Sequence, residues 1–218
     1  MSYPEVYRRS IDEPEAFWRD QAQRIHWHRP FEQVCDASNP PFAHWFVGGE
    51  TNLCHNAVDR HVPLRPDQPA LIHVSTETHT ESSLSYGQLY VEVQRMAAVL
   101  QGLGVRAGHR VLLYMPMIPE AVIAMLATVR LGAIHSVVFG GFASHALATR
   151  IDDARPTVIV TADAGSRGGK VIAYKPLLDD ALRLAHHAVP HVLLVNRKLA
   201  PGDFIRGRDH CYHTLRRE

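Results

Sequence analysis

The sequence has 218 residues, of which 46% are hydrophobic and 21% charged, a composition that is typical of a globular protein and argues against a disordered chain. Its formal net charge is +1, so nothing in the overall balance favours nucleic acid or a membrane surface as a partner. Every apolar run is well short of the roughly 20 residues that a membrane-spanning helix needs.

The first segment, residues 1–67, is rich in Trp, His, Pro and Asn and shows little sustained periodicity. Its one helical pattern predicts a short helix over about residues 14–24, opened by Asp12 or Pro14. We therefore expect an irregular segment that wraps around another part of the protein instead of forming its own core. The predicted boundary follows residue 67, and residues 68–218 form the second domain.

The second domain contains short apolar runs that alternate with helical patterns. Five runs are predicted to form strands, at residues 70–74, 111–114, 134–139, 157–161 and 192–195. Their nearly continuous Val, Ile and Leu content is typical of strands buried on both faces, as in parallel sheets.

Four helices are predicted in the same region. The first follows a capping box at Ser85 and Gln88 and ends at Gly102 to Gly104, the second begins at Pro119 and ends at Gly132, the third is capped by Ser144 and ends before Pro156, and the fourth begins near Pro176. Asp179 and Asp180 lie in the predicted first turn of the fourth helix, where the helix dipole favours negative charge, so we interpret them as structural.

The alternation of strands and helices after the first helix predicts an α/β fold of consecutive parallel βαβ units. Ligands of such sheets bind beyond the carboxyl ends of the strands, so the loops after these ends are the candidate sites. The loop at residues 115–119 is apolar and is expected only to pack. The loop at residues 140–144 joins a strand to a helix N-terminus, where it could bind an anion, although adjacent glycines also permit a tight turn.

The most informative loop covers residues 163–170, in which three glycines alternate with Arg167 and Lys170. Glycines Gly168 and Gly169 allow a close approach of the backbone to a ligand, and the two cations suit phosphate oxygens. A Walker A loop would need Gly at Ala164 and Ser or Thr at Val171, so this loop does not match that template. A solvated turn with incidental charges remains an equal alternative.

Other polar clusters indicate neither catalysis nor a metal site. Asp152 and Asp153 are neighbours on a predicted helix and point in different directions. The sequence has no G-x-S-x-G, no H-E-x-x-H and no Cys/His cluster, and its 15 histidines are scattered. Three widely spaced cysteines and an N-terminus without a signal-peptide pattern favour a reducing compartment, and we expect the cytoplasm.

Several segments resemble the opening third of acetyl- and propionyl-CoA synthetases, which belong to the adenylate-forming superfamily. The resemblance extends over nearly the whole chain, and the segments that carry it lie at residues 14–18, 25–27, 45–49, 52–61 and 137–142. The sequences of residues 52–61, 167–170 and 174–177 are more similar to propionate-CoA ligase than to acetate-CoA ligase.

The resemblance implies a ligase that uses a short-chain carboxylate, ATP with magnesium, and CoA, with an acyl-adenylate as intermediate. It also implies that Arg167, Gly168, Gly169 and Lys170 contact the nucleotide phosphates of CoA. The ATP and magnesium sites, the acyl pocket and the adenylation lysine are expected beyond Glu218, in a missing C-terminal part of the same enzyme.

This chain alone is therefore expected to be inactive, to contain no catalytic residue, and to expose a sheet edge and a helix layer that lack their partners. Two alternatives remain open. The chain could be a non-catalytic CoA- or nucleotide-binding module, or a truncated remnant, that keeps the basic loop. It could also be a structural domain without a ligand, if the loop is a simple turn.

Overall fold

The computed structural model describes residues 2–76 and 78–217, and for Phe139 and Arg167 it describes only the backbone. The chain divides into two compact units, Met1–Asn56 and Ala57–Glu218. None of the described helices is both long and apolar enough to cross a membrane.

The first unit contains more regular structure than the sequence pattern indicates. Its elements are helices α1 (Tyr3–Asp12) and α2 (Pro14–Ala22), strands β1 (Gln33–Asn39) and β2 (Phe42–Val47), and helix α3 (Leu53–Ala57), whose last residue crosses into the second unit. Strands β1 and β2 pair antiparallel, with Cys35 opposite Trp45. Helix α1 does carry apolar residues at helical spacing, Tyr3, Val6, Tyr7 and Ile11, which the sequence interpretation did not use, and this face is exposed. Strand β2 is exposed along most of its length, so burial on one face does not mark it.

The second unit begins with a 3₁₀ turn at Asp59–His61. The Asp59 carboxylate lies 2.7 Å from the Arg130 guanidinium, and the ring of His61 lies 5.2 Å from that of Tyr86. These contacts attach residues 57–67 to the larger unit. The division between the compact units therefore lies earlier along the chain than the boundary after residue 67 that the composition suggests.

A five-stranded parallel sheet forms the centre of the second unit, and the parallel arrangement is as predicted. The sheet contains four of the five predicted strands, and its fifth strand, at Asp209–Cys211, was not predicted. Its strands are β5 (Arg110–Met115), β6 (Ile134–Phe139), β7 (Val158–Ala162), β10 (His191–Val195) and β11 (Asp209–Cys211), and their order is β11-β10-β7-β5-β6. All four neighbouring pairs are parallel. Strand β6 is an edge strand, and it exposes Ile134 by 56% and Val137 by 58%.

The predicted strand at residues 70–74 exists, but it lies outside this sheet. Strand β3 (Pro69–Ser75) pairs antiparallel with β4 (Thr80–Ser85) in a separate hairpin, and Ile72 and Val74 are exposed. The apolar run therefore does not indicate burial on both faces here. Strand β4 is rich in Ser and Thr and carries no apolar alternation, which explains why the sequence pattern misses it.

The helices of this unit, among its described residues, are α4 (Tyr86–Gly102), α5 (Pro119–Arg130), α6 (Ser144–Ala154), α7 (Tyr174–Leu184) and α8 (Tyr212–Leu215). Helices α6 and α7 pack against each other and against one face of the sheet, where Leu112, Ile159 and Val192 are buried. Alternate strand residues point to the opposite face. There α5 contacts β5 and β6, and α4 packs on α5.

The helix ends agree with the sequence in part. The Ser85 hydroxyl accepts the Gln88 N–H at 3.3 Å, which confirms the capping box. The cap of α6 is Ala143, however, so Ser144 is its first residue and not its cap. Helix α7 begins at Tyr174, two residues before the predicted start at Pro176. This is possible because proline is tolerated in the first turn of a helix. Asp179 and Asp180 consequently lie past the first turn.

Candidate functional site

The basic glycine loop is a small β-hairpin that follows β7 at the carboxyl edge of the sheet. Strand β8 (Ala164–Arg167) pairs antiparallel with β9 (Lys170–Ala173), and Arg167 lies opposite Lys170 in the register. The side chain of Arg167 is outside the described part of the structure, and that of Lys170 is exposed. The backbone thus brings the two cationic positions together at the hairpin tip.

The glycines of the tip serve the turn. Gly168 has φ +57° and Gly169 has φ +76°, and a two-residue hairpin turn of this kind needs positive φ at both positions. A Cβ atom added at either residue would meet nothing within 4 Å. Both glycines therefore have a conformational role in the turn, and the close approach to a ligand that the sequence suggests stays a prediction.

Two other glycines make room for the Tyr174 ring at the base of the hairpin. A Cβ atom at Gly165 would lie 2.5 Å from the Tyr174 hydroxyl, and one at Gly140 would also clash with it. The rings of Tyr174 and Tyr114 are 5.0 Å apart, and the Tyr114 hydroxyl donates to the Phe142 carbonyl at 3.1 Å. Burial raises the pKa of Tyr114 to about 12, with a smaller contribution from Tyr174. Two tyrosines thus join the loop after β6 to the hairpin.

Asp163, the residue immediately before the hairpin, is only 3% exposed. Its carboxylate accepts the N–H groups of Arg197 at 2.8 Å, Leu199 at 2.7 Å and Ala200 at 3.2 Å. The Arg197 guanidinium donates to the Ala164 carbonyl at 3.0 Å. Sequence reasoning placed Asp163 in the loop without a role, and its position directly after a buried strand was the only available signal.

A buried network of charges follows the hairpin. The ammonium of Lys175, a residue 1% exposed, lies 2.6 Å from Asp179 and 2.9 Å from Asp209. The Arg208 guanidinium lies 2.6 Å from each of the same two carboxylates. Burial alone would raise the pKa of Asp209, but the bonds from Arg208, from the Ile205 N–H and from Lys175 outweigh it and hold that pKa below its ordinary value. Asp179 is therefore structural, as predicted.

A pocket of about 420 Å³ lies beside the hairpin. The turn between β3 and β4 supplies Thr76, Thr78 and His79, and the opposite wall includes Ser166, Val171 and Leu199. Hydroxyl and imidazole groups therefore face a hairpin whose tip carries a cation at Lys170. Such groups suit the oxygens of a phosphorylated ligand.

The adjacent carboxylates Asp152 and Asp153 do not act as a pair. Asp152 accepts the N–H groups of His186 at 2.7 Å and His187 at 2.8 Å, so it holds the segment after α7. Its pKa is lowered, chiefly by the bond from the His186 side chain. Over residues 2–76 and 78–217, no group of three or more His, Cys, Asp or Glu side chains is arranged to hold a metal ion.

Comparisons with known proteins agree with this architecture. The family described as acetyl-coenzyme A synthetase N-terminus matches residues 3–57, and the AMP-binding enzyme family matches residues 58–203. The junction between the matches lies beside the junction of the compact units.

Similar proteins match the whole chain, but the chain spans only about a third of their length. It is 60% identical to the propionate–CoA ligase of Salmonella typhimurium over all 218 residues, which are 35% of that protein. It is 42% identical to the acetyl-coenzyme A synthetase of Bartonella quintana, with 97% of this chain and 33% of that protein covered. Acetoacetyl-CoA synthetase from Streptomyces lividans superposes with a TM-score of 0.87 at 29% identity, over 99% of this chain and 33% of that one. The chain belongs to the AMP-binding enzyme family.

Proposed function

We propose that this chain is the N-terminal portion of an ATP-dependent acid–CoA ligase that forms propionyl-CoA, or acetyl-CoA, through an acyl-adenylate. The observation that supports it most is the 60% identity to a propionate–CoA ligase over all 218 residues. Identity to an acetyl-coenzyme A synthetase is 42%, which favours propionate as the acid. Residues 1–67 are the N-terminal extension in this proposal, and residues 68–218 are the first part of the AMP-binding domain.

The reaction has two steps. A carboxylate oxygen of the acid attacks the α-phosphorus of ATP, and pyrophosphate leaves. The sulfur of CoA then attacks the carbonyl carbon of the acyl-adenylate, AMP leaves, and the thiol proton is released. Magnesium bound with ATP would neutralise charge on the leaving pyrophosphate. We assign no residue of this chain to ATP, to magnesium or to bond making.

The hairpin β8–β9 binds CoA in this scheme. CoA carries a diphosphate and a 3′-phosphate, and Arg167 and Lys170 occupy opposite register positions at the exposed tip. A guanidinium offers a planar pair of donors and an ammonium a compact charge, and both bind phosphate oxygens. Gly168 and Gly169 shape the turn that presents these cations. The site acts in the second step only, because CoA takes no part in the first.

The whole ligase is proposed to act in the cytoplasm, in propionate metabolism. The first step is tested by acid-dependent exchange of pyrophosphate into ATP, measured on the ligase that carries this chain with acetate, propionate and butyrate side by side. We expect the largest kcat/KM with propionate. Absence of exchange with all three acids would refute the ligase function and favour a non-catalytic binding module. A larger kcat/KM with acetate would correct the substrate.

A further inference from the structure

The Asp163 carboxylate links the start of the hairpin to a distant segment of the chain. It accepts backbone N–H groups from Arg197, Leu199 and Ala200, at 2.8, 2.7 and 3.2 Å. The Asp163 N–H itself donates to the Val195 carbonyl at 3.2 Å. Hydrogen bonds to a buried carboxylate are charge-assisted and short, so this attachment is a strong one.

The same segment also holds the hairpin from the other side. The Arg197 guanidinium donates to the carbonyl of Ala164, the first hairpin residue, at 3.0 Å. Residue 163 thus binds residue 197, and residue 197 binds residue 164. We call this closed set of bonds, formed by Asp163, Ala164, Arg197, Leu199 and Ala200, the Asp163 clasp.

The direction of the hairpin tip depends on its base. A two-stranded hairpin is only marginally stable on its own. Each strand of this one has four residues, so the tip lies roughly 10 Å from the clasp at about 3.4 Å a residue. Leu199, which the clasp holds, lines the pocket beside Ser166 and Val171. A shift at the base would therefore change both the position of the cationic tip and the width of the pocket.

We propose that Asp163 is a positioning residue for the nucleotide half of CoA, and that it acts through the clasp without touching the ligand. This inference rests on the proposed binding of CoA phosphates by the hairpin. In this proposal, the buried carboxylate of Asp163 fixes the positions of both the pocket wall at Leu199 and the hairpin tip.

The test is Asp163→Asn in the ligase that carries this chain, with CoA and pantetheine compared as acyl acceptors. Asparagine has the same shape, but an NH₂ group replaces one of the two carboxylate oxygens. Each backbone N–H that donates to that oxygen in the parent would therefore lose its acceptor. We expect kcat/KM for CoA to fall about 10-fold, and pantetheine kinetics and acid-dependent pyrophosphate exchange to stay within about 2-fold. Pantetheine lacks the nucleotide, so it does not depend on the tip.

A second variant keeps the test decisive if Asp163→Asn does not fold. Arg197→Met removes the bond to the Ala164 carbonyl and leaves the carboxylate and its backbone donors in place. Lys198→Met is its matched control, because it removes the same charge from an exposed neighbour that does not bind Asp163 through its side chain. We expect Arg197→Met to lower the preference for CoA over pantetheine, and Lys198→Met to leave it unchanged.

The outcomes separate this inference from the proposed function. Equal losses with CoA and pantetheine, or an unchanged preference in both variants, would overturn the positioning role while pyrophosphate exchange still supports the ligase. Loss of preference in Lys198→Met equal to that in Arg197→Met would also overturn it, because charge and not the clasp would then be responsible. A parent protein without exchange refutes the ligase first.

Discussion

Arg167 and Lys170 differ in how easily each can be replaced at the hairpin tip. A guanidinium binds two phosphate oxygens with a preorganised pair of donors, whereas water or a neighbouring cation substitutes more readily for an ammonium. In the ligase we expect Arg167→Ala to raise the KM for CoA about 10-fold and Lys170→Ala to raise it less, with the KM values for propionate and ATP within about 2-fold of the parent.

Steady-state kinetics with each substrate varied in turn measure this effect. Arg183→Ala is the matched control, since this exposed arginine of α7 pairs with Asp180 away from the tip. An unchanged KM for CoA in Arg167→Ala would remove that residue from the site.

Gly165 is predicted to tolerate no side chain. A Cβ atom there would lie 2.5 Å from the Tyr174 hydroxyl, so Gly165→Ala should destabilise the protein by about 1–3 kcal/mol through overpacking. The urea midpoint, followed by circular dichroism on the 218-residue chain, measures it. Gly102→Ala is the control, because a Cβ atom there meets nothing within 4 Å. Adding Tyr174→Phe should restore part of the loss, and a double variant no more stable than Gly165→Ala would contradict this explanation.

Site residues that the sequence revealed differ from those that it did not in how far along the chain their partners lie. Arg167 and Lys170 are recognisable because glycines and cations alternate locally. Asp163 has its partners at residues 197–200, and Tyr174 fits against Gly140 and Gly165. Such pairings depend on which loops the fold brings together, and nothing in the local pattern of a single sequence encodes them.

The Lys175 network joins helix α7 to strand β11, and its strength should depend on pH. The pKa of Asp209 is lower in the folded chain than its unfolded value of about 3.9. The stabilisation is thus complete above about pH 4 and is lost as the pH falls through the folded value. Asp209→Asn leaves Lys175 and Arg208 without one carboxylate, which should cost about 3 kcal/mol at pH 7.

The measurement is the urea midpoint at several pH values between about 7 and 3. We expect the difference between the parent and Asp209→Asn to narrow as the pH falls, because protonation removes the same charge from the parent. Asp153→Asn, at an exposed position of α6, should follow the parent throughout. A difference that stays constant down to the lowest pH would show that the carboxylate charge is not what stabilises this junction.

Secondary structure was predictable where burial of an element requires a recognisable pattern of apolar residues in the sequence. Strands β5, β7 and β10 are buried on both faces, and their runs of Val, Ile and Leu identify them. Strands β2 and β4 are largely exposed, so no apolar alternation marks them. The hairpin β8–β9 has strands of four residues around two glycines, too short for periodicity to separate them from a loop.

At the scale of the whole molecule, edge strand β6 is an exposed apolar surface. Ile134 and Val137 are each more than half exposed on a strand with one unpaired edge, an arrangement that favours association. The chain spans 35% of its propionate–CoA ligase relative. We therefore expect the 218-residue chain to bind a hydrophobic dye more strongly than a full-length relative does, or to form soluble aggregates.

Dye fluorescence and size-exclusion chromatography measure this surface directly. Replacing both residues by threonine, Ile134→Thr with Val137→Thr, should lower dye binding, because threonine keeps the β-branched shape and adds a hydroxyl. A monodisperse monomer that melts cooperatively and binds no more dye than the relative would contradict the expectation.

The shared space around Tyr174 has a consequence for how the family evolves. One phenol occupies the volume that Gly140 and Gly165 leave open. The three positions therefore form a single unit of selection, although Gly140 lies 25 residues before Gly165 and 34 residues before Tyr174. A lineage could gain a side chain at either glycine only after the aromatic ring had become smaller. Substitutions at 140 and 165 should therefore appear on the branches of the family tree where 174 has already changed.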